Sequence, residues 1–135
     1  MSWIFIDTSE RGVVRLADIP ARGRIRVAKK KAMPGATVSA IASFFSPTDV
    51  ERADGICVVA GPGSFSAIRG GVLVANLLAR LHDKQLYGLS KDEASDLSAV
   101  RERLTDGQIL PAPYVAPVYD AEPNITCRTE TASTK

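Results

Sequence analysis

The stretch GICVVAGPGSFSAIRGGVLVANLLARLH, residues 55–82, decides the fold of this chain. Its first six residues form a continuous apolar run, which is typical of a strand covered on both faces. Residues 61–64 are a glycine-rich turn, and residues 66–82 have the length and apolar spacing of a helix. A buried strand, a tight turn and a long helix together predict one unit of an α/β fold.

Six further elements flank this unit. They are three strands joined by short connections, a helix, and then another strand and helix, at residues 3–7, 11–17, 24–29, 36–45, 85–89 and 90–104. Pro47 closes the first helix, and Ser90 with Glu93 has capping-box spacing at the start of the last one. Three antiparallel strands followed by αβαβα is the element order of the ribonuclease-H-like fold, with helices on the faces of a mixed sheet.

The chain changes character after this lobe. Residues 1–104 form the predicted lobe, and residues 105–135 are a proline-rich tail with one short strand at 114–119. Cys57 lies in an apolar run and Cys127 in the polar tail, so they do not make a disulfide framework. We see no signal peptide and no apolar run of the roughly 20 residues that span a bilayer. We therefore expect a cytoplasmic protein without a membrane contact.

The formal net charge of +2 does not by itself indicate nucleic-acid binding, but the charge is unevenly placed. A basic stretch lies at residues 11–31, where only Asp18 opposes Arg15, Arg22, Arg24, Arg26, Lys29 and Lys30. Two interpretations stay open. The stretch is either a solvated hairpin or a basic patch that attracts RNA or an acidic protein.

The glycine-rich turn has three interpretations. It is not a P-loop, because no Lys-Ser/Thr follows at the required spacing. It matches the dinucleotide fingerprint in part, with Ser66 in place of the third glycine, but no acidic residue ends the strand at Tyr87. A structural turn, with Ser64 or Ser66 capping the helix, fits better.

The helix after this turn has two apolar faces, whereas a helix on one side of a sheet needs one. The first face comprises Ile68, Val72, Ala75 and Ala79. The nearly opposite face comprises Gly70, Leu73, Val74, Leu77 and Leu81. The preceding helix, the tail or a partner protein must cover the second face.

The turn carries a family resemblance. Residues 61–71, GPGSFSAIRGG, resemble the GPGSFTGLRIG signature of the TsaB (YeaZ) family. The matching positions are Gly61, Pro62, Gly63, Ser64, Phe65 and Arg69. Residues 4–9, IFIDTS, resemble the family's N-terminal strand, and residues 86–90 stand where it has a further strand.

The resemblance implies an actin/sugar-kinase/Hsp70-type lobe, in a short form that lacks most of the second lobe. It implies a non-catalytic scaffold that dimerises with the catalytic subunit TsaD in forming N6-threonylcarbamoyladenosine in tRNA. A small ATPase, TsaE, joins that pair, tRNA is touched only indirectly or weakly, and a homodimer is a further possibility. The resemblance and the second apolar face place the contact at Ile41, Phe45, Gly70, Leu73, Val74, Leu77 and Leu81.

Two other classes of function remain open. A metal- or nucleotide-dependent enzyme of the ribonuclease-H-like or M22 peptidase-like class needs clustered carboxylates, for which Asp7, Asp54 and Asp92 are the candidates. An RNA-binding module would use the basic stretch. The single histidine, His82, favours no metal site. We predict no catalytic residue, no metal and no cofactor.

Overall fold

A computed structural model describes residues 1–31, 36–63 and 65–119 of the chain, with the backbone alone for residues 65–67. The predictions that concern Ser64, Cys127 and the side chains of Phe65 and Ser66 lie outside these residues.

A five-stranded mixed sheet forms the centre of the lobe. Its strands are β1 (Ser2–Asp7), β2 (Val13–Pro20), β3 (Arg26–Lys31), β4 (Gly55–Gly61) and β5 (Gln85–Ser90). The strand order is β3-β2-β1-β4-β5. The pairs β1–β2 and β2–β3 are antiparallel, and β1–β4 and β4–β5 are parallel. The carboxyl ends of β1, β4 and β5 therefore meet at one edge of the sheet.

Within the described residues, four α-helices cover the sheet: α1 (Thr37–Phe44), α2 (Pro47–Arg52), α3 (Phe65–Leu81) and α4 (Leu97–Thr105). A short 3-10 helix, Glu93–Ser95, lies between β5 and α4. In this described part of the chain, no helix combines the length and apolar character needed to cross a membrane.

Two helix starts differ from the sequence predictions. The first predicted helix ends at Phe44, ahead of Pro47 as expected, but Pro47 also opens a further helix, α2. Ser46 accepts a hydrogen bond from the Asp49 amide there, and Asp49 accepts one from the Ser46 amide. Ser90 and Glu93 do form reciprocal hydrogen bonds, yet the turn they close leads into the 3-10 helix. α4 begins seven residues later than Ser90, at Leu97, with Asp96 as its cap.

The core has two layers because alternate residues of a strand face opposite sides of the sheet. Ile4, Ile6 and Val58 pack beneath α1 and α3. Trp3, Phe5 and Cys57 pack on the other face beneath α4. Burial raises the pKa of the Cys57 thiol, so Cys57 is a small core residue and not a reactive one.

Candidate partner interface

The tail packs along one flank of α3. The Nδ2 of Asn76 donates to the Val115 carbonyl at 3.0 Å, and the Val115 amide donates to the Oδ1 of Asn76 at 3.1 Å. The Ala112 amide donates to the Leu86 carbonyl at 2.7 Å. Val115 itself is buried in the core layer under α3. Described tail residues therefore complete the α3 side of the sheet.

The glycine-rich turn at residues 61–64 and the end of β4 contact the tail at Val118 and Tyr119. The Val118 amide donates to the Ala60 carbonyl at 2.7 Å, and Gly63 forms a parallel bridge with Tyr119. Gly61 has a φ of 131°, and a Cβ there would overlap the Val118 carbonyl. This glycine is therefore required by both its backbone conformation and a close approach. The turn acts as a structural junction between β4, α3 and the tail.

A second close approach brings α3 against the end of β1. A Cβ on Gly71 would overlap the side chain of Thr8, which is buried. The Thr8 Oγ1 has no hydrogen-bond partner within the described residues. The close approach that the absence of a side chain at Gly71 allows is therefore made by Thr8 of the same lobe.

α1 covers the other flank of α3. Gly70 faces Thr37, whose Oγ1 would lie 3.4 Å from an added Cβ. A groove of about 400 Å³ runs between the two helices, with Val74 and His82 among its lining residues. Ile41 and Phe45 form part of its floor and are only 4% and 5% exposed. These two predicted interface residues lie in the core of the lobe, since α1 turns its apolar face inward onto α3.

Three leucines remain uncovered between the two flanks. Leu73, Leu77 and Leu81 are 57%, 49% and 76% exposed, and they lie four residues apart on α3. We call these residues the leucine stripe. Leu73 and Leu77 also line a groove of about 690 Å³ whose opposite wall includes Tyr114 of the tail. An apolar row of this kind is typical of a protein-binding surface.

The carboxylate at the end of β1 has its own set of partners. The Oδ1 of Asp7 accepts from the Ser9 amide at 2.8 Å and from the Ser9 hydroxyl at 2.6 Å. Its Oδ2 pairs with Arg15 at 3.3 Å. Arg15 also donates to the Ala94 carbonyl at 2.9 Å and lies over the Phe5 ring. Asp7 is therefore tied into a clamp that joins β1, β2 and the 3-10 helix.

The three candidate carboxylates do not converge. Asp92 lines the same open cleft of about 420 Å³ as Asp7. Asp54, however, accepts from the Ser2 amide at 2.9 Å, at the opposite end of β1. Ser2 and Asp7 are five residue steps apart along the strand, a span of about 17 Å at about 3.3 Å per residue. Among the described residues, no group of three or more potential ligands is placed to hold a metal ion.

Two residues that organise this lobe are not among the predicted site residues. One is Asn76, although an amide inside the apolar run of α3 is a signal for a specific hydrogen bond. The other is Arg15, which the sequence places only in the basic stretch. Its pairing with Asp7 follows from the β1–β2 register, in which the two residues are directly opposite.

Comparison with solved structures defines the class of this lobe. It is similar to "YeaZ from Pseudomonas aeruginosa", with a TM-score of 0.61 and 19% identity over 76% of this chain and 51% of that one. It is also similar to an uncharacterized Pseudomonas aeruginosa protein with similarity to peptidase YeaZ, with a TM-score of 0.56 and 18% identity over 66% of this chain and 43% of that one. This chain thus has the ribonuclease-H-like α/β fold of YeaZ, as predicted, and spans about half the length of these structures.

A family model then identifies the family. Residues 35–127 match the model described as TsaD: tRNA N6-adenosine threonylcarbamoyltransferase. The chain belongs to this family, and the predicted resemblance to TsaB (YeaZ) proteins is confirmed. Comparison with curated protein sequences gives no match.

Proposed function

We propose that this chain is a non-catalytic partner subunit in the formation of N6-threonylcarbamoyladenosine in tRNA, and that it dimerises with a TsaD-like catalytic subunit. Its membership of the TsaD family supports a place in this modification. The exposed leucine stripe is the observation that supports a docking role for this chain. We propose further that a TsaE-like ATPase joins this pair. We expect the complex to act in the cytoplasm.

Burial of the leucine stripe against a partner protein would be favoured by the hydrophobic effect. A single exposed leucine is ordinary on a protein surface, but three at successive turns of one helix form a continuous apolar row. Full burial of a fully exposed leucine side chain contributes about 1.5–3 kcal/mol, and each of these leucines would gain the part of it that corresponds to its remaining exposure. Leu77 is central in the row, and Val38 of α1 adds another exposed apolar side chain, at 61%.

A catalytic role has less support from this geometry. Both oxygens of Asp7 already accept hydrogen bonds or pair with Arg15, and Asp54 is too distant to share a metal ion with it. The proposed contribution of this chain is therefore to hold the catalytic subunit, and its chemistry lies in that subunit.

A single substitution tests the docking surface. We expect Leu77→Arg to abolish capture of the TsaD-like subunit from the same genome, since it places a charge in the centre of the stripe. The isolated variant should keep the circular dichroism spectrum of the folded wild-type chain, because Leu77 is half exposed. Leu110→Arg is the control, at a leucine that is 76% exposed and belongs to the tail, not to the stripe.

The outcomes separate two roles of Leu77. Loss of capture with an unchanged spectrum and an unaffected Leu110→Arg control supports the proposal. Unimpaired capture by Leu77→Arg would exclude this surface. An unfolded Leu77→Arg chain would make Leu77 a core residue, and the exposed Leu81→Arg variant would then decide the question.

A further inference from the structure

The cationic side chains of this chain are concentrated at its beginning. Residues 1–31 contain eight lysines and arginines against three acidic residues, although the whole chain has a formal net charge of only +2. Most of these cations lie on the β2–β3 hairpin, and β3 is an edge strand of the sheet. The hairpin is thus a local basic feature on a nearly neutral protein.

The fold itself uses the cations on one face of β3. Arg26 pairs with Asp18 at 3.7 Å and with Asp49 at 3.6 Å, and its guanidinium lies over the Phe44 ring. Lys30 donates to the Ser43 hydroxyl at 2.8 Å. Arg26 and Lys30 therefore fasten the helical layer of α1 and α2 to the sheet.

The opposite face of β3 has a different character. Val27, Lys29 and Lys31 alternate with the fastened residues and are exposed to solvent, Val27 by 51%. Lys29 approaches Glu10 at 3.8 Å, but both side chains are about 60% exposed, so this pair is weak. A ligand with stronger negative charge can displace it.

The turn of the hairpin carries two further exposed cations and is held in place. Arg22 and Arg24 are exposed on either side of Gly23. Arg101 of α4 donates to the Gly23 carbonyl at 2.7 Å and to the Pro20 carbonyl at 3.2 Å. The two exposed arginines therefore project from a fixed turn.

We propose that the exposed cations of this hairpin and its turn, Arg22, Arg24, Lys29 and Lys31, bind the phosphate backbone of tRNA. Arg24 and Lys31 are seven residues apart, which is about 23 Å along a strand and enough to follow several phosphates. Lys29 and Lys31 share one face of the strand at a separation of about 6.7 Å. The inference rests on the proposed function, since the family acts on tRNA, and it assigns the contact to a surface remote from the leucine stripe.

The chemistry of the surface favours RNA over an acidic protein. Exposed large apolar side chains on β3 are limited to Val27, so a hydrophobic centre of the kind that protein interfaces require is missing from this strand. Exposed tyrosine, phenylalanine and tryptophan are also absent from β2 and β3. Binding through charge alone is therefore independent of sequence, weak and steeply dependent on salt.

The experiment measures binding of an in vitro transcribed tRNA by the full chain over a series of salt concentrations. We expect the plot of log affinity against log salt to be linear, with a slope about one unit shallower for each cation removed. The Arg24→Gln/Lys31→Gln variant should therefore lose about two units of slope and bind an unrelated RNA hairpin equally weakly. Arg80→Gln/Lys84→Gln removes the same charge from the α3 side and should keep the wild-type slope.

Two controls keep this proposal separate from the docking proposal. Arg24→Gln/Lys31→Gln should still capture the TsaD-like subunit, whereas Leu77→Arg should still bind tRNA. An unchanged salt slope in the hairpin variant would overturn the inference. So would a wild-type chain that binds no tRNA while the hairpin variant aggregates, because lysines on an edge strand would then serve only to prevent strand pairing.

Discussion

Asn76 and Val115 exchange two hydrogen bonds, although they are 39 residues apart in the sequence. The side-chain amide of Asn76 takes the place of a neighbouring strand for the Val115 backbone. The same Nδ2 also donates to the Val72 carbonyl at 2.8 Å, which fixes its direction on α3. One side chain thus anchors the tail to the helix that carries the leucine stripe.

Asn76→Ala should release the tail. Both polar groups of the Val115 backbone lose their partner, and leaving buried groups unpaired costs about 1–3 kcal/mol each. We expect a lower urea midpoint and faster proteolysis within residues 108–119. Gln108→Ala, at an exposed position of the same segment, should change neither. If Asn76→Ala is cleaved in this segment at the same rate as the wild-type chain, Asn76 does not anchor the tail.

Gly70 and Gly71 are adjacent in α3, yet alanine should affect them in opposite directions. Gly71→Ala places a methyl group into the buried Thr8 side chain, and overpacking of this kind costs about 1–3 kcal/mol. At Gly70 the added Cβ would lie 3.4 Å from Thr37, close to ordinary contact. Gly70→Ala should therefore be neutral or stabilising, by as much as about 1 kcal/mol, because alanine favours a helix over glycine.

Thermal unfolding of the two variants checks this contrast. The difference between them is the decisive quantity, since both substitutions add the same methyl group to the same helix. Equal melting temperatures would show that Thr8 does not pack against α3 as the structure has it.

The start of α2 should make the stability dependent on pH. Hydrogen bonding from the Ser46 amide, helped by Arg26 and Arg52, holds the pKa of Asp49 below its ordinary value of 3.8. A carboxyl with a lowered folded pKa contributes stability above its unfolded pKa, and this contribution is lost as the pH falls through the folded pKa. Asp49→Ala should therefore destabilise the chain near pH 6, by about 0.5–1 kcal/mol as for other lost caps.

Urea unfolding of wild type and Asp49→Ala at pH 6 and pH 3 measures this dependence. We expect the difference in free energy of unfolding between the two proteins to be smaller at pH 3, because pH 3 lies below the ordinary pKa of 3.8 and part of the stability from the ionised carboxyl is lost there. Glu102→Gln, on the exposed side of α4, provides a control for the removal of an acidic side chain. A gap that is constant between the two pH values would exclude the charge of Asp49 as its source.

The sequence predicted the elements whose signals are long and repeated. The apolar run of β4 and the apolar spacing of α3 located both elements, and their order indicated the fold class. Local capping signals were harder to interpret. Pro47 follows the end of α1 and also stands in the first turn of α2, and the Ser46–Asp49 hydrogen bonds that start α2 were not recognised in the sequence.

The candidate site was predictable only in part, since coverage of a helix face depends on the packing of distant elements. The apolar face of α3 was evident in the sequence, as was the need for a cover. The periodicity of the sequence does not indicate that α1 covers one flank of α3 and the tail covers the other. This division buries Ile41 and Phe45 and leaves Leu73, Leu77 and Leu81 in solvent.

We expect the leucine stripe to be the surface through which this chain docks onto a catalytic partner. The most direct measurement is co-expression of this chain with the TsaD-like protein of the same genome, capture of one through a tag on the other, and mass determination by light scattering. We expect a one-to-one complex for the wild-type chain and none for Leu77→Arg. A folded wild-type chain that elutes alone as a monomer would contradict it.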